Sequence, residues 1–364
     1  MSFVIFFPQL IAGPIVHHDK MMPQFKNDTS SKQNVLSVVL TIFTIGLAKK
    51  VIFADRVAVY ATPLFDAVAN GGNPTFLDSW LGGLAYALQL YYDFSGYTDM
   101  AVGIARCFGI ILPLNFNSPY KAINISDFWR RWHMTLSRFL RDYVYIPLGG
   151  NRKGQVRKLS NLFSTMLLGG LWHGAGWTFV AWGGLHGTFL IGHELWRKVA
   201  GVHTSTVAIL FGWLTTMAAV IISWIPFRCE SLSSSLVIVK SMLGLHGFSL
   251  PESMSSLPFG IPSMLSQFGF TFNGAYNISI EGSEAGRIAT ILILTAITII
   301  APNTQQIMIN YEPALVTYEG DISKPGFLGF TWEPTRTMAF LFGASLFVSI
   351  SQIGKISPFL YFNF

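Results

Sequence analysis

The segment LSNLFSTMLLGGLWHGAGWTFVAWGGLHGTFLIG (159–192) contains no Lys, Arg, Asp or Glu. A run of this length can cross a bilayer or enter and leave it, because about 20 apolar residues span the hydrocarbon core. The segment before it, DFWRRWHMTLSRFLRDYVYIPLGGNRKG (127–154), is instead rich in arginine and lysine. One histidine of interest lies in each segment, His133 and His173, 40 residues apart. We expect the rest of the chain to act as a scaffold that brings these two positions together.

The overall composition is that of an integral membrane protein. Of the 364 residues, 51% are hydrophobic and only 12% are charged, whereas average globular chains are about a quarter charged. The mean hydropathy is +0.47, and the 31 Phe and 10 Trp residues are typical of helix interfaces and aromatic belts in a bilayer. Cys107 and Cys229 have no metal-ligand spacing, so neither a disulfide framework nor a metal site is predicted.

The positive charge of the chain is concentrated in one cluster. Nine Lys and Arg residues fall between Lys121 and Lys158, against only Asp127 and Asp142. A basic cluster between hydrophobic segments marks a cytoplasmic loop, and it attracts anionic lipid headgroups or an anionic cosubstrate. The net charge of +6 therefore gives no support for nucleic-acid binding, and membrane lipid is the expected partner of these residues.

Further apolar stretches predict membrane-spanning helices, and one shorter stretch predicts a re-entrant segment. FFPQLIAGPIV (6–16) is too short and too interrupted by proline for a spanning helix, so we expect it to be packed inside protein. Asp93 and Asp99 lie inside an apolar stretch, where carboxylates usually face a bundle interior or a polar cavity. The spanning helices are predicted at 35–48, 79–105, 206–227, 288–301 and 337–354.

The basic segment has two interpretations. A continuous helix over 127–142 would place Arg130, His133 and Ser137 on one face, at spacings of three and four residues. That face suits a polar or phosphate-bearing ligand at the membrane surface. The alternative is an amphipathic interfacial helix whose arginines hold lipid headgroups. Periodicity alone favours the interfacial helix.

His173 has the stronger signal for chemistry, because it lies among glycines in an uncharged run. An ionisable group at membrane depth is a functional-site hypothesis by default, and a neutral imidazole is the usual general base near pH 7. The alternative is a hydrogen bond between helices. His186 lies 13 residues further on, a spacing that need not direct both rings to one cavity, and metal binding by the pair is not predicted. Serine-hydrolase, Walker A and dinucleotide motifs are absent from the sequence.

Several of these blocks together resemble the membrane-bound O-acyltransferase family, in its bacterial alginate O-acetyltransferase-like branch. The resemblance runs from the first residues to the last. It is carried by FFPQLIAGPIV (6–16), YYDFSGYTDMAVGIA (91–105), LNFNSPYKAINISDFWRRWHMTLSRFLRDYVYIPLGGNRKG (114–154), GGLWHGAGWTFVAWGGLHG (169–187) and SPFLYFNF (357–364).

The resemblance implies an all-α integral membrane protein, with many helices and re-entrant segments around a transmembrane tunnel. It implies one transmembrane domain over residues 1–364, without N-terminal helices that relatives carry, in a multi-pass arrangement in the bacterial inner membrane. The implied enzyme is an O-acetyltransferase that has no cofactor and uses acetyl-CoA, or another thioester, from the cytoplasm. His173 corresponds to the family's intramembrane histidine and His133 to its second site position, with Arg130, Ser137 and Arg141 as expected donor-binding residues.

The acceptor stays open between several glycans. Alginate, another exopolysaccharide, cellulose and peptidoglycan all fit the resemblance, either directly or through a periplasmic acetyltransferase that relays the acetyl group. The alternative function is a non-catalytic scaffold or transport component of an envelope polysaccharide complex, for which Asp93 and Asp99 are the supporting residues.

Overall fold

The computed structural model describes residues 3–10, 13–26, 35–201, 204–273, 283–315, 329–354 and 360. Regular structure in these ranges is almost entirely helical, which confirms the all-α prediction for the described part of the chain. The exceptions are two short parallel strands, Phe248–Ser249 (β1) and Phe270–Thr271 (β2). The α-helices are His18–Lys26 (α1), Val35–Ala48 (α2), Asp55–Ala69 (α3), Phe76–Cys107 (α4), Ile125–Trp129 (α5), Met134–Leu140 (α6), Gly154–His173 (α7), Trp177–Ala200 (α8), Thr206–Arg228 (α9), Leu232–Met242 (α10), Ile261–Gln267 (α11), Glu284–Ile300 (α12), Thr304–Ile307 (α13) and Arg336–Ser351 (α14).

Tighter and wider helical turns connect several of these helices. The 3₁₀-helices are Phe7–Gln9, Pro119–Lys121, Glu252–Ser256 and Ile309–Tyr311, and the π-helices are Lys49–Ala54 and Arg141–Tyr145. In the proline-containing segment 6–16, Phe7–Gln9 form a short 3₁₀-helix, and residues 14–16 have no regular secondary structure. A π-helix inside a longer helix often marks a functional position.

The predicted apolar stretches all fall in helices, namely α2, α4, α9, α12 and α14. Among the described residues, two helical stretches are long and apolar enough to cross a membrane, Leu36–Ala69 and Thr206–Arg228. The first runs through α2, a π-helix and α3 without a break, so the predicted helix at 35–48 is the beginning of a longer one. The uncharged run 159–192 forms α7 and α8, which are separated by the glycine-containing stretch 174–176.

The chain divides into two compact units, and the first comprises Met1–Asp55, Leu90–Lys153 and Ala296–Phe364. In this unit α2 packs closely on α4, because a Cβ atom added to Gly46 would lie 2.6 Å from the carbonyl oxygen of Gly96. Small residues allow such close approach of helix backbones. This unit also contains a core of buried apolar side chains that includes Met21, Ile42 and Leu112.

The acidic residues of α4 in this unit are neutralised by adjacent lysines of the first π-helix. Lys49 Nζ lies 2.6 Å from Asp99 Oδ2, and Lys50 Nζ lies 2.8 Å from Asp93 Oδ1. The backbone N–H of Leu360 also donates to Asp93 Oδ2, at 3.0 Å. Asp93 and Asp99 are almost fully buried, as expected from the sequence, and these ion pairs explain how the interior accommodates them.

The second unit comprises Arg56–Gln89 and Gly154–Thr295. Its central feature is the pair α7 and α8, whose backbones touch at glycines. A Cβ atom added to Gly170 would lie 2.3 Å from Phe179 O, and one added to Gly183 would lie 2.4 Å from Met166 O. This close crossing places the end of α7, which carries His173, against the first half of α8.

Candidate functional site

The basic segment is not one helix, and the prediction of a continuous helix over 127–142 is wrong. Helix α5 begins after Asn124, whose side-chain oxygen accepts a hydrogen bond from Asp127 N at 2.8 Å, and it ends at Trp129. His133 has φ 41° and ψ 53°, the left-handed conformation, and α6 starts directly after it. Because the chain turns at 130–133, the regular helical spacing that would align Arg130, His133 and Ser137 is lost.

His133 is held in this turn by Asn115. The imidazole Nδ1 lies 3.0 Å from Asn115 Oδ1, and the same oxygen accepts a hydrogen bond from the Thr135 hydroxyl at 2.8 Å. The N–H of Met134 donates to the backbone oxygen of Asn115 at 2.9 Å. Because His133 and Asn115 are only 2% and 1% exposed, these hydrogen bonds form away from water and fix the ring in place.

Aromatic side chains surround the His133 ring. Phe94 meets it edge-on with ring centroids 4.8 Å apart, and Phe116 stacks on it at 6.5 Å. Trp132 packs against both phenylalanines. The imidazole thus sits in an apolar enclosure in which a polar group is costly unless it is hydrogen-bonded.

The left-handed backbone at His133 stores strain. A residue with a Cβ atom in this conformation costs roughly 1–2 kcal/mol, although histidine is among the residues enriched there. Such strain persists only where the surroundings determine the conformation, and it clusters at functional sites. Here Asn115 supplies that constraint through both its side chain and its backbone.

The three expected donor-binding residues have different surroundings. Arg130 is exposed, and the Arg141 guanidinium lies 2.8 Å from the Asp142 carboxylate at the surface. The Ser137 hydroxyl donates to the backbone oxygen of Trp129 at 3.1 Å, a bond that joins α6 to the end of α5. The predicted donor-binding roles of these residues stay predictions.

A cavity of about 130 Å³ lies in the first unit beside Thr135. Its charged and polar lining includes His17, Lys20, Arg138 and Asp142. Thr135, Arg138 and Asn115 are not among the site residues predicted from the sequence. Asn115 lies inside a block that carries the family resemblance, LNFNSPYK, but nothing in its local spacing indicates a partner 18 residues away.

His173 is the last residue of α7, and its ring lies in an aromatic cluster of the second unit. The centroid of the imidazole is 5.0 Å from that of Trp172 and 5.1 Å from those of Trp182 and Phe227. The residues after it, Gly174 to Gly176, leave the helix before α8 begins at Trp177. The imidazole is half-buried and lies at the C-terminal end of α7.

His186 belongs to the same aromatic cluster. Its Nε2 lies 2.9 Å from the Ser223 hydroxyl, and its ring centroid is 4.9 Å from that of Trp182, whose ring also contacts His173. His186 is fully buried. In the described ranges, no group of three or more His, Cys, Asp or Glu side chains is placed to hold a metal ion.

His133 lies in the first compact unit and His173 in the second. Each surrounding is well defined by itself: a hydrogen-bonded histidine in a strained turn, and a half-buried histidine at a helix end. That the two form one site stays a prediction.

Comparison with known proteins finds a matching family model and several related proteins. Residues 1–237 match the model of MBOAT, the membrane-bound O-acyltransferase family. The chain is 51% identical over 250 residues to a peptidoglycan O-acetyltransferase of Helicobacter pylori, covering 68% of this chain and 47% of that protein. It is 36% identical over 367 residues to the probable alginate O-acetylase AlgI of Pseudomonas putida, covering 100% of this chain and 68% of that protein.

A more distant match is a teichoic acid D-alanyltransferase of Bacillus subtilis, 29% identical over 207 residues, which are 54% of this chain and 52% of that protein. The chain thus spans about half the length of the Helicobacter and Bacillus proteins.

Proposed function

Because the chain belongs to the membrane-bound O-acyltransferase family, we propose that it is a membrane O-acetyltransferase. It takes an acetyl group from a cytoplasmic thioester, acetyl-CoA, and passes it across the membrane for O-acetylation of an extracytoplasmic polysaccharide. The observation that carries this proposal is the 51% identity to a peptidoglycan O-acetyltransferase over 250 residues, 68% of this chain. The alignment to a probable alginate O-acetylase supports the same class of reaction.

His173 acts as the general base in this proposal. The acceptor oxygen attacks the thioester carbonyl, and His173 takes the hydroxyl proton as the new C–O bond forms. The C–S bond then breaks, and the leaving thiolate receives this proton from the His173 imidazolium, which returns to its neutral form. The position of His173 at the end of α7, beside Trp182 and Phe227, supports this role because an apolar surrounding keeps an imidazole neutral and able to accept a proton.

His133 orients or polarises the donor thioester, and the basic segment binds the donor's phosphates. Arg130 and Arg141 at the surface supply guanidinium groups suited to phosphate, and Ser137 lies on the adjoining helix. The basic loop then faces the cytoplasm, in agreement with the positive-inside rule. The acetyl group crosses through a tunnel between the helices of a multi-pass inner-membrane protein.

The acceptor is a glycan or a relay protein. The names of the relatives point to peptidoglycan in one case and to alginate in another, so both are acceptors to test. A periplasmic acetyltransferase that receives the acetyl group and completes the transfer is the expected partner.

The test is acetyl transfer by membrane vesicles that contain the full chain and are supplied with radiolabelled acetyl-CoA. We expect His173→Ala to lower the rate by about 10²- to 10⁴-fold, the usual contribution of a general base. His193→Ala, on α8, is the matched control and should keep the wild-type rate. Normal transfer by His173→Ala at equal protein abundance would refute the assignment.

The second candidate, a scaffold or transport component, rested on the buried carboxylates Asp93 and Asp99. Both carboxylates form ion pairs with lysines, which gives them a structural role, and no other described feature favours transport. Purified protein that neither binds acetyl-CoA nor releases CoA would support this second function.

A further inference from the structure

Asn115 contacts three consecutive residues at the strained turn. Its Oδ1 lies 3.0 Å from His133 Nδ1, 2.8 Å from Thr135 Oγ1 and 3.3 Å from Thr135 N, and its backbone oxygen accepts from Met134 N at 2.9 Å. All of these residues are buried. One asparagine therefore holds both the backbone directly after His133 and the position of the imidazole.

The orientation of the Asn115 amide follows from its partners. The backbone N–H of Thr135 can only donate, so the side-chain atom of Asn115 that faces it must be the oxygen. The amide nitrogen then points to the other side, where Nδ2 lies 3.4 Å from the hydroxyl oxygen of Thr98. Thr135 also uses its hydroxyl consistently, since the oxygen accepts from Ile15 N at 3.1 Å while the hydrogen goes to Asn115.

An amide oxygen accepts hydrogen bonds and never donates them, so His133 Nδ1 must carry the hydrogen that joins it to Asn115. A neutral imidazole has one ring hydrogen, and Nε2 is then the nitrogen with the lone pair. We propose that Asn115 is a positioning residue that fixes neutral His133 in its Nδ1–H tautomer, so that Nε2 is the hydrogen-bond acceptor of the ring.

The catalytic meaning of this inference rests on the proposed function, and the inference narrows the role of His133 in that function. A neutral His133 with a lone pair on Nε2 cannot donate a hydrogen bond to the thioester carbonyl, so it does not polarise that carbonyl. It instead orients a ligand that presents an N–H or O–H group, such as an amide of the donor's pantetheine arm or a hydroxyl. The complementary ligand group is therefore a hydrogen-bond donor.

The first test reads the tautomer directly and needs no enzymatic activity. Full-length protein with ¹⁵N-labelled histidines is purified in detergent, and ring ¹⁵N signals are recorded at a pH where the imidazoles are neutral, with His133→Gln to assign the signals of His133. We expect the pattern of the Nδ1–H tautomer in the wild type. The Nε2–H pattern at His133 would overturn the proposal.

The second test removes the constraint. In Asn115→Ala, the His133 signals should change to a mixture of tautomers, whereas Asn115→Asp should keep the Nδ1–H tautomer because a carboxylate oxygen also accepts. Acetyl transfer should fall by about 10- to 100-fold in Asn115→Ala, the range over which hydrogen-bond partners of functional histidines act in metal sites, and should recover in Asn115→Asp. An unchanged tautomer in Asn115→Ala would contradict the assigned role.

Gln24→Ala is the matched control. Gln24 also holds a backbone segment through both ends of its amide, with Oε1 accepting from Ile111 N at 2.8 Å and Nε2 donating to Ile111 O at 3.1 Å, but neither bond is made to a histidine. Its removal should leave the His133 tautomer unchanged. If His133→Ala keeps full acetyl transfer, the proposed catalytic role of His133 fails, and the ¹⁵N pattern still decides the tautomer separately.

Discussion

Replacing Gly183 by alanine should separate the two helices that carry His173 and its aromatic neighbours. An added Cβ atom at this position would lie 2.4 Å from Met166 O and 3.1 Å from Leu167 Cα. Both contacts are to the backbone of α7, so no side-chain rotation can relieve them. The same argument applies from the other helix, because a Cβ atom at Gly170 would lie 2.3 Å from Phe179 O.

The size of the effect follows from these distances. Ordinary van der Waals contact begins at 3.4 Å, so the 2.4 Å contact requires the helices to move apart by about 1 Å. Forcing extra atoms into a packed contact costs typically about 1–3 kcal/mol. Against this, alanine in place of glycine favours a helix by roughly 1 kcal/mol. An added Cβ atom at Gly192, on the same helix, would have no atom within 4 Å. The substitution Gly192→Ala therefore measures the gain in helix propensity without the backbone clash.

The assay is thermal unfolding of the purified protein in detergent, together with acetyl transfer in vesicles. We expect Gly183→Ala and Gly170→Ala to unfold at lower temperature than the wild type, and Gly192→Ala to unfold at the same or a higher temperature. Acetyl transfer should fall in the first two variants, because His173 lies one turn beyond Gly170. If Gly183→Ala were as stable and as active as Gly192→Ala, the close crossing of α7 and α8 would be refuted.

Three further predictions concern burial and capping. Lys49→Met should destabilise the protein by about 3–5 kcal/mol because it leaves Asp99 buried without its cation, whereas Lys49→Met combined with Asp99→Leu should recover most of that loss in the same unfolding assay. Burial raises the pKa of the Cys229 thiol to about 11, so a maleimide at neutral pH should label Cys229 only after the protein unfolds. The exposed Cys107 should be labelled in the folded protein, and equal labelling rates of the two cysteines would contradict this prediction. Asn124→Ala should cost about 1 kcal/mol through loss of the α5 cap, measured as a shift in the unfolding midpoint, and no shift would show that the cap is dispensable.

The long apolar helices could be predicted largely from local sequence. The apolar stretch at 35–48 coincides with α2, and the stretch at 206–227 lies within α9. Membrane helices are readily predicted in this way because a continuous uncharged run must satisfy its own backbone hydrogen bonds. The aromatic and glycine context of His173 is also local, but the sequence did not indicate that this residue ends a helix, and its role as general base stays a prediction.

The turn at His133 could not be predicted, because its cause is not local. Residues 127–142 have the periodicity of a helix, but the turn at His133, which has a left-handed backbone, is held by contacts with Asn115 and Asn117, outside this segment. The ion-pair partners of Asp93 and Asp99 could not be predicted for a similar reason. Lys49 and Lys50 follow an apolar run, a position typical of charges at the membrane interface. Both ammonium groups instead form ion pairs with carboxylates of α4.

The π-helix Lys49–Ala54 constrains the number of residues that this segment can contain. Adjacent residues of an α-helix point about 100° apart, yet the ammonium groups of Lys49 and Lys50 both reach carboxylates of the same helix, α4. Deleting one residue would restore α-helical register and turn one lysine away, leaving a carboxylate enclosed without its cation. The segment should therefore tolerate exchange of side chains more readily than a change in the number of its residues.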